Sequence, residues 1–230
     1  MIEFNGVTVK YDGGDVALDN VSLKINDGEF VFIVGHSGAG KTTLTKVLLG
    51  EKRVTLGNLK VNGCSLRNLK PKELPHFRRN IGVVFQDFRL IERKTVFENV
   101  ALPLRITGEG ASEINKKVMS LLSLIRLEHK KDSFPRQLSG GEQQRVAFIR
   151  AIAANPSIII ADEPTGNVHR ELALQLFDLL EKINEKGKTV IVVTHDMEIV
   201  NRYPHRTVTI ENGKIISDTA CTEEAGVGCE

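Results

Sequence analysis

The segment Gly35-His36-Ser37-Gly38-Ala39-Gly40-Lys41-Thr42 fits the pattern G-x-x-x-x-G-K-[ST]. Glycines at these positions let the backbone curl so that its N–H groups face phosphate oxygens. A helix starting at Lys41 adds the positive end of its dipole. Lys41 has the reach and charge for β- and γ-phosphates, and Thr42 offers a hydroxyl to Mg2+. The chemistry implied is the binding of a nucleoside triphosphate, with Thr43 included among the nucleotide-contacting residues.

A second candidate is the adjacent pair Asp162-Glu163, which ends the apolar run Ile158-Ile159-Ile160-Ala161. Neighbouring residues on a strand point in opposite directions. Asp162 can therefore serve Mg2+ through water while Glu163 faces an attacking water as general base. A third is Leu138-Ser139-Gly140-Gly141-Glu142. Ser139 and Glu142 have capping-box spacing, and two glycines at a helix start expose backbone N–H groups to an anion.

These residues need elements to position them. Ile2, Phe4, Val7 and Val9, then Leu18, Val21, Leu23 and Ile25, alternate as two half-buried strands, with Gly13-Gly14 between them as a turn. Phe30–Val34, Ile81–Phe85, Ser157–Ala161 and Thr189–Val193 are short continuous apolar runs, the pattern of buried parallel strands. Lys41–Leu49 reads as a helix. The stretch from about 95 to 154 reads as mostly helical, with Ile114, Val118, Leu121, Leu122 and Ile125 on one face. Leu172, Leu176, Phe177, Leu179, Leu180 and Ile183 form another helical stripe, which Gly187 stops. Asn212-Gly213 marks a hairpin between 207–210 and 214–216. Strands alternating with helices predict an α/β fold with a largely parallel central sheet.

With the phosphate loop and the acidic pair, Leu138–Gln144 resembles the signature of ABC ATP-binding subunits. The resemblance runs from Tyr11 to about Gly213. It implies a P-loop NTPase (RecA-like) core with an N-terminal antiparallel β subdomain and an α-helical subdomain. The expected organisation is a single nucleotide-binding domain over 1–218, its helical subdomain at about 95–154, and a flexible tail over 219–230. In that family the signature of one subunit closes over the ATP held by another. One copy of each motif then implies a homodimer on ATP binding. The resemblance also implies that Tyr11 stacks on adenine, that Gln86 touches Mg2+ or water and senses a membrane partner, and that His195 contacts the γ-phosphate. Where the family usually has an aspartate after Pro164-Thr165-Gly166-Asn167-Val168, this chain has His169, which puts communication between the two sites in doubt.

The segments 35–41, 84–90 and 95–104 resemble the cell-division branch of the family. That resemblance implies an integral membrane partner of the FtsX kind and control of peptidoglycan hydrolases. Asp162–Asn167 is shared with ATPase subunits of lipoprotein, peptide and macrolide exporters, which leaves an exporter role open. His169 leaves open a nucleotide-gated scaffold of low turnover. Phe88, Leu90 and Ile91 are a candidate contact surface for the membrane partner.

Composition sets bounds on these readings. The 230 residues carry 31 basic and 29 acidic side chains, a formal charge of +2, which gives no electrostatic argument for nucleic acid. No apolar run approaches the roughly 20 residues of a membrane span. Met1-Ile2-Glu3-Phe4 does not open a signal peptide. The expectation is a protein held peripherally at the cytoplasmic face of the membrane. Cys64, Cys221 and Cys229 show no metal-ligand spacing and are expected to be reduced thiols.

Overall fold

A computed structural model describes residues 1–166 and 169–220. Asn167 and Val168, Cys221 and Cys229, and most of the tail expected over 219–230 lie outside the described residues. Along the chain run β1 (Ile2–Lys10), β2 (Val16–Ile25), β3 (Phe30–Val34), α1 (Lys41–Leu48), β4 (Leu56–Val61), β5 (Cys64–Ser65), α2 (Leu74–Arg78) and β6 (Ile81–Val84). Next come α3 (Val96–Ile106), α4 (Ala111–Leu124), α5 (Gly140–Ile152), β7 (Ile158–Asp162) and α6 (Arg170–Asn184). The last elements are β8 (Thr189–Thr194), α7 (Met197–Arg202), β9 (Arg206–Glu211) and β10 (Lys214–Asp218). Two compact units divide the chain: Met1–Leu74 together with the chain from Thr189 onward, and Pro75–Lys188.

In the first unit, β2-β1-β4-β5 form an antiparallel sheet. The register of β1 on β2 shifts between Phe4 and Val7, around Gly6 at φ 58°, so the strand bends there. The second sheet of this unit is built on β3, whose five residues are all buried. A strand covered on both faces has no polar side to alternate, which is why its sequence is continuously apolar. β8 and β9 pair parallel on either side of β3, and β10 turns back antiparallel on β9. The hairpin between them turns at Asn212 and Gly213, both at positive φ, the geometry that two-residue hairpins require.

In the second unit, β6 and β7 pair parallel. α5 packs on β6 and against α3, α4 and α6. The helical stripes read from the sequence become its core. Ile114, Val118, Leu122 and Ile125 are buried from α4, and Leu176, Phe177 and Leu180 from α6. Asn184 Nδ2 donates to the Lys188 carbonyl at 2.8 Å, and Gly187 takes φ 80° after the helix ends. α3 begins with a capping box between Thr95 and Glu98.

One ion cluster ties β9 to its surroundings. The Arg206 guanidinium donates to Asp218 Oδ1 and Oδ2 at 2.8 and 2.6 Å, to Glu29 Oε1 at 2.7 Å and to the Lys24 carbonyl at 2.9 Å. The bond from Arg206 holds the Asp218 carboxyl below the ordinary carboxylate range. A group whose folded pKa is depressed stabilises the fold above its unfolded pKa, and that contribution is lost as pH falls through the lowered value. Asp218→Asn is therefore expected to lose about 2 kcal/mol at neutral pH. The gap to the parent chain should close in acid, as read by urea unfolding across pH. A deficit that stays constant down to about pH 2.5 would contradict this account.

Candidate functional site

In the first unit, β3 runs straight into the phosphate loop. A Cβ on Gly35 would lie 2.3 Å from the Ile210 carbonyl oxygen, so only glycine passes β9 at this point. Gly40 is left-handed at φ 110° and ends the loop as the N-cap of α1. That cap has no side-chain hydrogen bond, whereas α3 and α5 both begin with capping boxes. The first-turn N–H groups of α1 are thus left for an external acceptor. Lys41 is 7% exposed, and its Nζ donates to the carbonyls of Gly35 and His36 at 2.6 and 3.1 Å. The ammonium is folded back over the loop, while His36, Ser37, Gly38 and Thr42 are exposed.

Buried Ala39 anchors this loop from below. Its carbonyl accepts from Gly213 N in the β9–β10 hairpin at 2.9 Å, and the Gly213 carbonyl accepts from Asp19 N at 2.9 Å. Tyr11 Oη lies 3.2 Å from Oγ1 of Thr43, and Lys52 Nζ sits 4.4 Å over the Tyr11 ring. β3 and β8 pair in register, Val34 opposite Thr194. His195, the next residue of β8's chain, therefore leaves its strand at the level where Gly35 leaves β3. His195 is exposed, and Asp196 after it caps α7 by accepting from Glu198 N and Ile199 N.

In the second unit the same device operates on β6 and β7. Their register, Val84 opposite Ala161, brings Gln86 and the Asp162-Glu163 pair out at the same end. A Cβ on Gly166 would lie 3.1 Å from Gln86 Nε2, so the glutamine amide packs on the turn that follows the acidic pair. Asp162 and Glu163 are half-buried, and Glu163 is held left-handed at φ 47°, a conformation that a non-glycine residue keeps only when its surroundings impose it.

Ser139 caps α5. Its Oγ accepts from Glu142 N at 3.3 Å, while Glu142 Oε2 accepts from Ser139 N at 2.7 Å and from Ser139 Oγ at 3.0 Å. The bond from Ser139 N–H holds the Glu142 carboxyl below the ordinary range. This box engages the N–H groups of Ser139 and Glu142 and leaves those of Gly140 and Gly141 outside it. Ser139 and Gly140 are exposed, so this helix start faces outward. His169 is the N-cap residue of α6 and makes no side-chain cap bond.

Two residues not singled out from the sequence support this unit. Gln144 is 1% exposed and donates from Nε2 to the Pro164 carbonyl at 2.7 Å, tying the start of α5 to the turn after Glu163. Its signal in the sequence was a glutamine on the buried stripe of α5, beside Ala147 and Phe148. Arg150, also on α5, donates to the carbonyls of Phe88 and Arg89. Nearby lies a groove of about 350 Å³, with Phe85, Ile91, Leu102 and Ile106 as its apolar lining and Arg78, Arg79, Arg89 and Arg150 among its polar lining. Of Phe88, Leu90 and Ile91, only Ile91 lines it; Phe88 and Leu90 are half-buried elsewhere.

The two loop glycines separate space from conformation. Gly35→Ala forces a methyl into backbone and is expected to cost about 3 kcal/mol. Gly38 is left-handed at φ 81° but has open space around it, so Gly38→Ala should cost only about 1 kcal/mol. Denaturant unfolding of the two variants checks the order, and equal losses would argue against it.

These features have counterparts in known proteins. The sequence model of the ABC transporter family matches residues 18–166. The chain is 48% identical over 218 residues to the cell division ATP-binding protein FtsE of Bacillus subtilis (strain 168), covering 95% of this chain and 96% of that one. It is 47% identical over 218 residues to FtsE of Streptococcus pneumoniae serotype 2 (strain D39), covering 95% of each. Among solved structures, the dimeric post-hydrolysis state of the ATP-binding cassette MJ0796 bound to ADP and Pi superposes with a TM-score of 0.89 at 39% identity. That match covers 95% of this chain and 97% of the other. The expected α/β fold of P-loop ABC cassettes is borne out by this likeness. A chain that carries the phosphate loop, the acidic pair and the signature in this order, with this coverage, belongs to the ABC transporter family of ATP-binding proteins.

Proposed function

We propose that this chain is the ATP-hydrolysing subunit of an ABC-type membrane complex acting in bacterial cell division, two copies of which close on two ATP molecules. The observation that supports this most is the near-full-length likeness to FtsE proteins in a chain whose phosphate-loop helix begins without a side-chain cap. The dimeric state of the MJ0796 cassette supports the two-copy arrangement.

Lys41 and the N–H groups of 35–43 hold the phosphates, and Tyr11 stacks on the adenine. Thr42, Gln86 and Asp162 present oxygen donors, the ligand type that Mg2+ takes. Among the described residues no cluster of three or more His, Cys, Asp or Glu could hold a metal by itself. The donor set thus fits an ion that shares its coordination with phosphate oxygens and water. When bound, that ion neutralises charge on the phosphates. Glu163 takes the proton of the attacking water, His195 contacts the γ-phosphate and orients the water, and Gln86 lies beside them in role. Ser139, Gly140 and Gly141 of the second copy, with Glu142 fixing their helix start, supply further donors. Stabilisation of this kind is mainly electrostatic positioning.

No helix of the described residues is long and apolar enough to cross a membrane, so the link to the membrane is an integral partner, FtsX-like, at the cytoplasmic face. The arginine-rimmed groove that holds Ile91 and Ile106 supports docking of an amphipathic segment of that partner.

Glu163→Gln is expected to lower steady-state ATP turnover by about 10²–10⁴-fold while trapping an ATP-dependent dimer, seen by light scattering. Undiminished turnover would remove Glu163 from the role of base. Ile91→Asp is expected to weaken capture of the membrane partner by about tenfold or more without loss of ATP binding, since a buried charge meets an apolar wall. Capture of an exporter subunit by the parent chain in place of an FtsX-like protein would favour the transport reading.

A further inference from the structure

Gln86 sits in a short loop whose two ends are held by different elements. At one end Phe85 leaves β6. At the other, Arg150 of α5 reaches across, Nη2 donating to the Phe88 carbonyl at 2.8 Å and Nη1 to the Arg89 carbonyl at 2.6 Å. Both acceptor residues are left-handed, at φ 57° and 47°. Bulky side chains keep that conformation only where the surroundings over-determine it. The loop is tight between these ends. Phe88 N donates to the Phe85 carbonyl, Arg89 N donates to the Asp87 carbonyl, and the Arg89 guanidinium lies 3.8 Å over the Phe85 ring. The same Arg150 lines the groove described above, as do Phe85 and Arg89.

We infer that Arg150 is a positioning residue for ATP hydrolysis. Its planar fork clamps the paired carbonyls of Phe88 and Arg89, holds the left-handed pair, and so fixes where Gln86 stands at the end of β6. A planar guanidinium bonds two carbonyls at once in a way that the single point of a lysine ammonium does not reproduce. Because the clamp is also part of the groove wall, a segment docked there touches the element that sets Gln86. α5 carries the clamp at one end and the Ser139 cap at the other, so the helix that presents the signature also anchors the glutamine loop. The inference rests on the proposed role of Gln86 in hydrolysis.

The test is steady-state ATP turnover by the full chain carrying Arg150→Lys, with Arg150→Ala alongside and melting temperatures recorded for each. Arg150→Lys keeps the charge and removes the fork. It is expected to lower kcat about tenfold with KM for ATP changed less than about twofold, since misplacing a catalytic group costs rate rather than ground-state binding. Glycine adopts positive φ without a clamp. Arg89→Gly placed in the Arg150→Lys background should therefore restore most of the lost kcat, with Arg89→Gly alone as the reference. Unchanged kcat in Arg150→Lys overturns the inference. A loss that tracks the melting temperature and is not restored by Arg89→Gly overturns it equally, since that is what a purely structural arginine would give. Gln86→Ala tests the underlying reading separately. Undiminished turnover there withdraws the role of Gln86, while the clamp is still judged by its own rescue.

Discussion

The first unit depends on the parallel pairing of β3 with β8 and β9. Strands that are buried on both faces and paired in register end together, so whatever follows each strand is delivered to one end. Gly35 and His195 come out at the same level for this reason. The close pass of Gly35 beside the Ile210 carbonyl, at a distance no Cβ would tolerate, then sets the path of the phosphate loop. A hairpin far along the chain completes the support, with Gly213 donating to Ala39 and accepting from Asp19.

The second unit repeats the principle with β6 and β7 and adds hydrogen bonds from one helix. α5 presents Ser139 and its glycines outward, ties Gln144 to the Pro164 carbonyl, and bonds Phe88 and Arg89 through Arg150. One rigid helix thus reaches the signature, the turn after Glu163 and the loop after Gln86. Groups that must hold a fixed geometry are better carried by such an element than by loops alone. Left-handed residues cluster where these bonds end, at Phe88, Arg89 and Glu163, which is where surrounding contacts can sustain strain.

The two helix starts suited to anions are prepared differently. α1 begins without a side-chain cap and with a buried lysine turned onto its own loop, so its donors lack a competing side-chain acceptor. α5 begins with a full capping box, which fixes the helix end while leaving the glycine N–H groups outside the box. In the two-copy reading, the first grips a nucleotide within its own chain and the second offers donors to a neighbour.

Much of this was legible in the sequence. Continuous apolar runs gave the buried strands, because a strand covered on both faces cannot alternate. The stripes of α4 and α6 appeared at helical spacing because each helix buries one side. The phosphate loop, the acidic pair and the Ser139–Glu142 cap are local patterns, set by residues a few positions apart, and a linear reading can find those. What only the tertiary structure decided are interactions between distant positions. Arg150 meets carbonyls some sixty residues earlier, Gln144 meets Pro164, and Ala39 rests on Gly213. Side chains bonding to backbone carbonyls leave no pattern of complementary residue types, since every residue has a carbonyl. Likewise Leu90 looked like groove lining from its place in the chain, and the left-handed turn at 88–89 directed Ile91 there instead. Sequence specified which groups exist and the elements that carry them; the register of buried strands and the reach of one helix specified where those groups meet.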